Sequence, residues 1–334
     1  MTAKEIYNEL KNKIYRPVYL FTGQEPYYID RLTDFMINKI LTEEEKAFNQ
    51  TVLYGKDTDA ATVINAARRF PMMSNHQLIV VKEAQQMKDI DDLFIYVKNP
   101  LNSTILVINY KYNTYDKRKK LYKAVQECNG ALLESSRLYE NKIPDWITSW
   151  LRNKKCSIEP SACMLLVEYL GTDLGKIENE LEKLILALPE NDKKVTTLSI
   201  ERNIGISKDY NNFELQKALG QKNVLKANRI INYFAKNPKD NPFTLTITSL
   251  FFYFSKIFTL HFLKDKSKKN IASALKINPY FVSEYEQASK KYNPRKTALI
   301  ISWLREYDMR SKGFGNSSAS DGDLLKELVY KILH

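Results

Sequence analysis

The spacing of hydrophobic positions changes near residue 137. Before it, short apolar runs alternate with segments whose apolar residues recur every three or four positions. Pro17-Val18-Tyr19-Leu20-Phe21-Thr22-Gly23 reads as a short buried strand closed by a glycine turn, and residues 48–54, 78–81, 104–109 and 131–134 read as four more strands. Helical patterns lie between them. The first opens at Thr2-Ala3-Lys4-Glu5, which has capping-box spacing, with Ile6 and Leu10 on one face. A second carries Tyr28, Leu32, Phe35, Met36 and Ile40, and others cover residues 59–69, 90–97 and 115–127. Five short strands separated by helices predict an α/β domain: a mostly parallel sheet with helices on both faces.

After residue 137 the strand signal vanishes and the chain reads as all-α. Helical patterns cover residues 145–151 and 160–170. The next is capped by Thr172-Asp173, with Leu174, Ile177, Leu181, Leu184, Ile185 and Leu188 as its apolar stripe. Its charged face (Lys176, Glu178, Glu180, Lys183) is expected in solvent or against a neighbouring subunit. A short helix starts at Thr197, and the polar segment Ser207-Lys208-Asp209-Tyr210-Asn211-Asn212 is the best linker. Helices follow over residues 213–219, 224–234, 244–263, 271–275, 279–292, 295–310 and 323–333, with a Gly/Ser-rich loop at Gly313-Phe314-Gly315-Asn316-Ser317-Ser318. The expected domains are 1–137 (α/β), 138–208 (small, helical) and 209–334 (helical). The most apolar run, residues 243–263, is interrupted by Thr, Ser and Lys256, and reads as a buried helix rather than a membrane span.

One connection breaks the pattern. Phe70-Pro71-Met72-Met73-Ser74-Asn75-His76-Gln77 joins a helix to a buried strand, yet carries three large apolar side chains. Such a loop either folds back into the core or is covered by something else.

Charge adds a second asymmetry. The chain carries a formal net charge of +12, and from Asn211 onward 21 Lys and Arg stand against 10 Asp and Glu. The last third therefore holds nearly all the excess, which fits a polyanion such as nucleic acid, or simply a solubilising surface. Cys128, Cys156 and Cys163 form no metal or disulfide framework, and His76, His261 and His334 are scattered. The absence of an apolar core in Met1-Thr2-Ala3-Lys4-Glu5 and the unpaired thiols fit a reduced, cytoplasmic setting.

A parallel α/β domain followed by a small helical one is the layout of the AAA+ nucleotide-binding module. That module needs G-x-x-x-x-G-K-[ST] after its first strand, because backbone donors and the lysine neutralise phosphates. Here the turn reads Gly23-Gln24-Glu25-Pro26-Tyr27-Tyr28-Ile29-Asp30. The second glycine, the lysine and the hydroxyl are absent, Glu25 repels phosphate and Pro26 removes a donor. The third strand ends in Val81-Lys82-Glu83 instead of an acidic pair, which places a cation where magnesium would sit; Glu83 is expected to be a surface residue. Arg137, after the last strand, is a weak arginine-finger candidate. No catalytic site, nucleotide, metal or other cofactor is expected.

The residues Val18 to Asp30 just quoted, together with Phe70-Pro71-Met72-Met73, Gly171-Thr172-Asp173-Leu174 and Ile177-Glu178-Asn179-Glu180-Leu181-Glu182-Lys183-Leu184, resemble the delta-subunit family of bacterial DNA polymerase III clamp loaders over essentially the whole chain. The resemblance implies a degenerate AAA+ module in two domains and a helical collar that joins a five-subunit ring. It implies a non-hydrolysing subunit that binds the ring-shaped sliding clamp (beta) and holds one interface open for loading onto primed DNA. The gamma/tau and delta-prime subunits and primer-template DNA are the implied partners, with no membrane. The family as a whole is classed with a DNA-directed DNA polymerase, a nucleotidyltransferase. In the family an apolar pair just before the third strand enters a pocket on the clamp; by position this pair falls on Met72 and Met73, where the better-known choice is Leu-Phe. Pro71 and Phe70 flank it, with Phe70 expected in the core. The competing reading has both methionines closing the bottom of the sheet.

A rival function rests on Asn270-Ile271-Ala272-Ser273-Ala274-Leu275-Lys276-Ile277-Asn278-Pro279-Tyr280-Phe281-Val282, which has helix-turn-helix rhythm and follows Lys264, Lys266, Lys268 and Lys269. In that reading the chain is a DNA-binding protein; otherwise these helices pack within the collar.

Overall fold

The computed structural model describes residues 1–189, 192–204, 209–315 and 318–334. The boundary expected at residue 208, with Ser207 and Lys208 of the linker, lies outside the described residues, as do Asn316 and Ser317 of the Gly/Ser-rich loop. The chain divides into two compact units, Met1–Leu138 and Tyr139–His334.

The first unit runs α1 (Ala3–Lys11), β1 (Val18–Gly23), α2 (Pro26–Lys39), α3 (Glu43–Asn49), β2 (Gln50–Tyr54), α4 (Ala60–Ala67), β3 (Gln77–Lys82), α5 (Phe94–Val97), β4 (Thr104–Lys111), α6 (Lys120–Glu127) and β5 (Ala131–Glu134). Its five strands pair in the order β2-β3-β4-β1-β5, every pair parallel. Parallel strands need crossovers, and the crossover helices cover both faces. Successive side chains therefore enter opposite cores. Val18, Leu20, Ile79, Val81, Leu106 and Ile108 pack with α4 and α6; Tyr19, Phe21, Leu78, Val80, Ile105 and Val107 pack with α1 and α2. This double burial is why the central strands are apolar at nearly every position.

Among the boundaries that differ from expectation, two place a large aromatic side chain in another element. The strand expected over 48–54 begins at Gln50, because Thr42 and Glu45 form a reciprocal capping box that starts α3. Phe48 thus belongs to a helix. The helix expected from Tyr115 begins at Lys120. Tyr115 instead sits buried in the preceding loop, donating its hydroxyl to Asp91.

The second unit contains α7 (Ile143–Asn153), β6 (Ser157–Ile158), α8 (Pro160–Leu170), α9 (Leu174–Ala187), β7 (Lys194–Val195) and α10 (Thr197–Ile204). It continues with α11 (Asn212–Gly220), α12 (Val224–Lys236), α13 (Phe243–Phe262), α14 (Lys268–Leu275), α15 (Val282–Lys291), α16 (Pro294–Ser311) and α17 (Asp321–Leu333). It is not wholly α: β6 and β7 form a two-residue parallel pair, too short to leave a period in the sequence. On α9 Leu174, Ile177, Leu181 and Leu184 of the expected stripe are buried, Ile185 and Leu188 only half-buried, and Glu178 is buried with them, accepting from the Trp150 indole N–H at 2.9 Å. The helices α11–α17 share one core. Within it, α13 is long and apolar enough to cross a membrane by length and composition, yet buries only one face; Leu245, Phe252 and Phe262 are exposed along another.

Glu168 on α8 fastens that core to its neighbour. Its carboxylate accepts from the backbone N–H of Asn212 at 2.9 Å and of Phe213 at 3.3 Å, at the first turn of α11. Burial pushes its carboxyl up to about 7, against the pull of the Asn212 hydrogen bonds. A carboxyl raised above its unfolded value of 4.5 leaves the folded state holding the extra proton, so stability falls as pH rises from the unfolded to the folded value. All three tryptophans lie in this unit, so their fluorescence follows its unfolding. The native unit is expected to lose stability between about pH 5 and about pH 8, with Glu168 contributing on the order of 3 kcal/mol at most. Glu168→Gln should flatten that slope; an unchanged slope in denaturant titrations would refute the assignment.

Candidate functional site

The loop between α4 and β3 leaves the sheet at the N-terminal ends of its strands. Helix α4 stops at Ala67, its C-cap Arg68 still helical, and Pro71 follows. The apolar side chains then point outward: Phe70 is 77% exposed, Met72 60% and Met73 102%. Neither methionine closes the bottom of the sheet. Phe70 is not a core residue, contrary to expectation; α4 has already ended and the two interiors are filled without it. Met73 holds the left-handed conformation, φ 52°, which costs a non-glycine residue about 1 kcal/mol.

The loop's backbone is held although its side chains are free. At one end the Asn49 carboxamide accepts from Met72 N–H at 2.6 Å and donates to Met72 O at 2.8 Å. At the other, the buried Gln77 carboxamide donates to Ala67 O at 3.2 Å, to Arg69 O and to Thr104 Oγ1. The backbone N–H of Thr42 and then the Ser74 hydroxyl hold the Glu45 carboxyl below its usual range, which ties the loop to the start of α3. Phe48, on the last turn of α3 beside Asn49, adds a further large apolar side chain, 72% exposed. Sequence reading missed α3 and hence Phe48 and Asn49; the Thr42-x-x-Glu45 capping box was the available signal.

The glycine turn lies at the opposite end of the strands, where open α/β sheets bind ligands. Gly23 has φ 134°, and a Cβ there would sit 2.0 Å from Ser135 O. Gly23 N–H donates to Asn113 O at 3.1 Å, Glu25 N–H to Ser135 O at 3.0 Å and Tyr115 N–H to Thr22 Oγ1 at 2.7 Å. The turn is thus bonded to the loops that follow β4 and β5. Glu25 is buried and caps α2, its carboxylate accepting from Tyr27 N–H at 3.1 Å. The protein's own carboxyl group therefore already occupies the helix N-terminus that would attract phosphate.

Lys111, at the end of β4, pairs with Asp30 at 3.1 Å and with Glu83 at 2.7 Å. Burial alone would lower the Lys111 pKa; the carboxylates of Glu83 and Asp30 outweigh it and raise it. Glu83 is therefore not a bare surface residue: it is half-buried, left-handed at φ 53°, and part of this ion-pair cluster. Lys82 lies 4.0 Å from Asp34, and Arg137 is exposed after β5. Among the described residues, no group of His, Cys, Asp and Glu could hold a metal ion.

In the second unit, α14 ends at left-handed Lys276, and a 3-10 turn at Pro279–Phe281 leads into α15. Lys264, Lys266, Lys268 and Lys269 are exposed before it. The outer side of α15 offers Ser283, Gln287 and Lys290, with Glu284 and Glu286 half-buried at its margins. Two carboxylates on that helix disfavour its approach to a phosphate backbone.

Residues 19–134 match the family model described as DNA polymerase III, delta subunit, and residues 209–328 match that of the DNA polymerase III delta subunit, C-terminal domain. The DNA polymerase III subunit delta of Bacillus subtilis (strain 168) is 24% identical over 337 residues, covering 97% of this chain and 94% of that protein. The solved structure of the Bacillus subtilis DNA clamp loader delta protein superposes with a TM-score of 0.53 at 21% identity, covering 99% of each chain. That structural likeness bears on the fold.

Substitutions at the two ends of the sheet should act in opposite ways. Gly23→Ala places a methyl group against Ser135 O and is expected to destabilise the first unit by more than about 2 kcal/mol. Met73→Gly relieves a left-handed residue that touches nothing, and should leave the stability unchanged or raised. Thermal unfolding followed by far-UV circular dichroism checks both; a stable Gly23→Ala or a destabilised Met73→Gly would contradict the geometry.

Proposed function

The chain belongs to the DNA polymerase III delta subunit family, and on that premise we propose that it is the clamp-binding, clamp-opening subunit of a replicative clamp loader. The observation that carries the reading is the loop between α4 and β3, which offers Phe70, Met72 and Met73 to solvent from a backbone that is itself hydrogen-bonded. Met72 and Met73 enter an apolar pocket on the sliding clamp. Each contributes about 1.5–3 kcal/mol by burial, and the flexible thioethers adapt to the pocket shape. Pro71 and Phe70 complete the contact. A few anchors of this kind commonly dominate an interface.

The chain acts without ATP of its own. The Glu25 carboxylate at the start of α2 and the ion pairs that engage Lys111 support this reading of a degenerate AAA+ module. Residues 138–208 serve as the small helical domain, and residues 209–334 as the collar that joins gamma/tau and delta-prime. The exposed apolar stripe on α13 supports that assembly role, and the basic excess of the last third suits primer-template DNA held within the complex. The setting is cytoplasmic. The rival helix-turn-helix reading is weakened by Glu284 and Glu286 on α15.

Pull-down of the purified chain against the sliding clamp, with and without ATP, tests this. Binding is expected in both conditions and should be lost in the Met72→Ala, Met73→Ala double variant, whose thermal midpoint stays native. Native-like clamp affinity in the folded double variant would sink the loop assignment. Binding that requires ATP would point to an active nucleotide site instead.

A further inference from the structure

The exposed methionines raise a physical question: what keeps them exposed. Two thioethers on a loop would ordinarily collapse onto the nearest apolar surface, because burial is favourable and a loop backbone is free to move. Here the backbone is not free. Asn49 is 3% exposed, and its side chain forms a two-point bond with one residue's backbone donor and acceptor: Oδ1 receives Met72 N–H at 2.6 Å and Nδ2 donates to Met72 O at 2.8 Å. Only one orientation of the carboxamide satisfies both bonds. Nδ2 also donates to Glu45 O at 3.1 Å, which anchors the carboxamide to α3. The next residue, Met73, is the left-handed one.

We propose that Asn49 is the positioning residue of the clamp-binding loop: by bonding both polar groups of Met72 it fixes the backbone from which Met72 and Met73 project. The proposal rests on the reading of that loop as the clamp contact. Asn49 itself touches no partner. It acts by keeping the loop in the binding-competent conformation before the clamp arrives, so that the ordering cost is met in folding rather than in binding. If its loss drops the competent fraction to about a tenth, the apparent Kd rises about tenfold.

The test uses the full chain and the sliding clamp encoded by the same genome. Asn49→Asp keeps the acceptor for Met72 N–H and replaces the donor to Met72 O with a repelling oxygen; Asn49→Ala removes both bonds without burying a charge. Both should weaken clamp binding about tenfold. Amide hydrogen exchange should speed up over residues 70–76 and stay native in β3 and α4. In a Met73→Ala background the Asn49→Ala loss should shrink, because the residue acts through the loop's side chains. Native affinity with unchanged exchange over residues 70–76 would overturn the proposal, as would full additivity with Met73→Ala. Should both variants unfold, the native protein still decides: Met72 N–H must exchange far more slowly than Met73 and Asn75 N–H, and equal rates refute the proposal. These outcomes are separate from the fate of the clamp reading, which fails if the native chain does not bind clamp or if the Met72→Ala, Met73→Ala chain binds it normally.

Discussion

Burial of the parallel sheet on both faces is the constraint on which the first unit depends. Because β3, β4 and β1 are covered above and below, their backbone bonds can be met only by neighbouring strands, and each connection must cross over through a helix. Crossovers return the chain to the N-terminal ends of the strands and leave it again at the C-terminal ends. Two sets of loops result, with no side chains in common. One set includes Phe70 to His76; the other includes the turn from Gly23 to Glu25.

The two ends have been put to different use. At the C-terminal end, polar groups are satisfied inside the chain: Ser135 and Asn113 carbonyls take the turn's N–H groups, Glu25 takes the helix N-terminus, and Asp30 and Glu83 take Lys111. At the N-terminal end the backbone is tied at Ala67, Arg69 and Met72 while the apolar side chains are left exposed. An unmet hydrophobic demand on a fixed backbone suits a protein partner better than a small molecule.

Much of this was legible in the sequence where local chemistry and global packing agree. Leu78-Ile79-Val80-Val81 could only be a strand covered on both faces, and the losses at Glu25, Pro26 and Tyr28 were visible residue by residue. What escaped depends on partners far along the chain. Asn49 lies 23 residues from Met72, and Glu178 lies 28 from Trp150, so neither carries a periodic signal of its role. Phe70 was misplaced for a related reason: apolarity states that a side chain avoids water, not which surface will cover it. Residues 48–54 were apolar enough to read as a strand, but the capping box at Thr42 claims Phe48 for α3.

The strands that separate the two ends also set a mechanical scale. Six residues of β3 span roughly 20 Å, and close packing on both faces lets the unit move with little internal give. Any neighbour that grips the Gly23 end therefore holds the far loop by a lever arm of that length. A tilt of about ten degrees there would carry Met72 and Met73 through roughly 3 Å, about the width of one atom layer at an interface. A small rotation imposed at one end of such a sheet becomes displacement at the other.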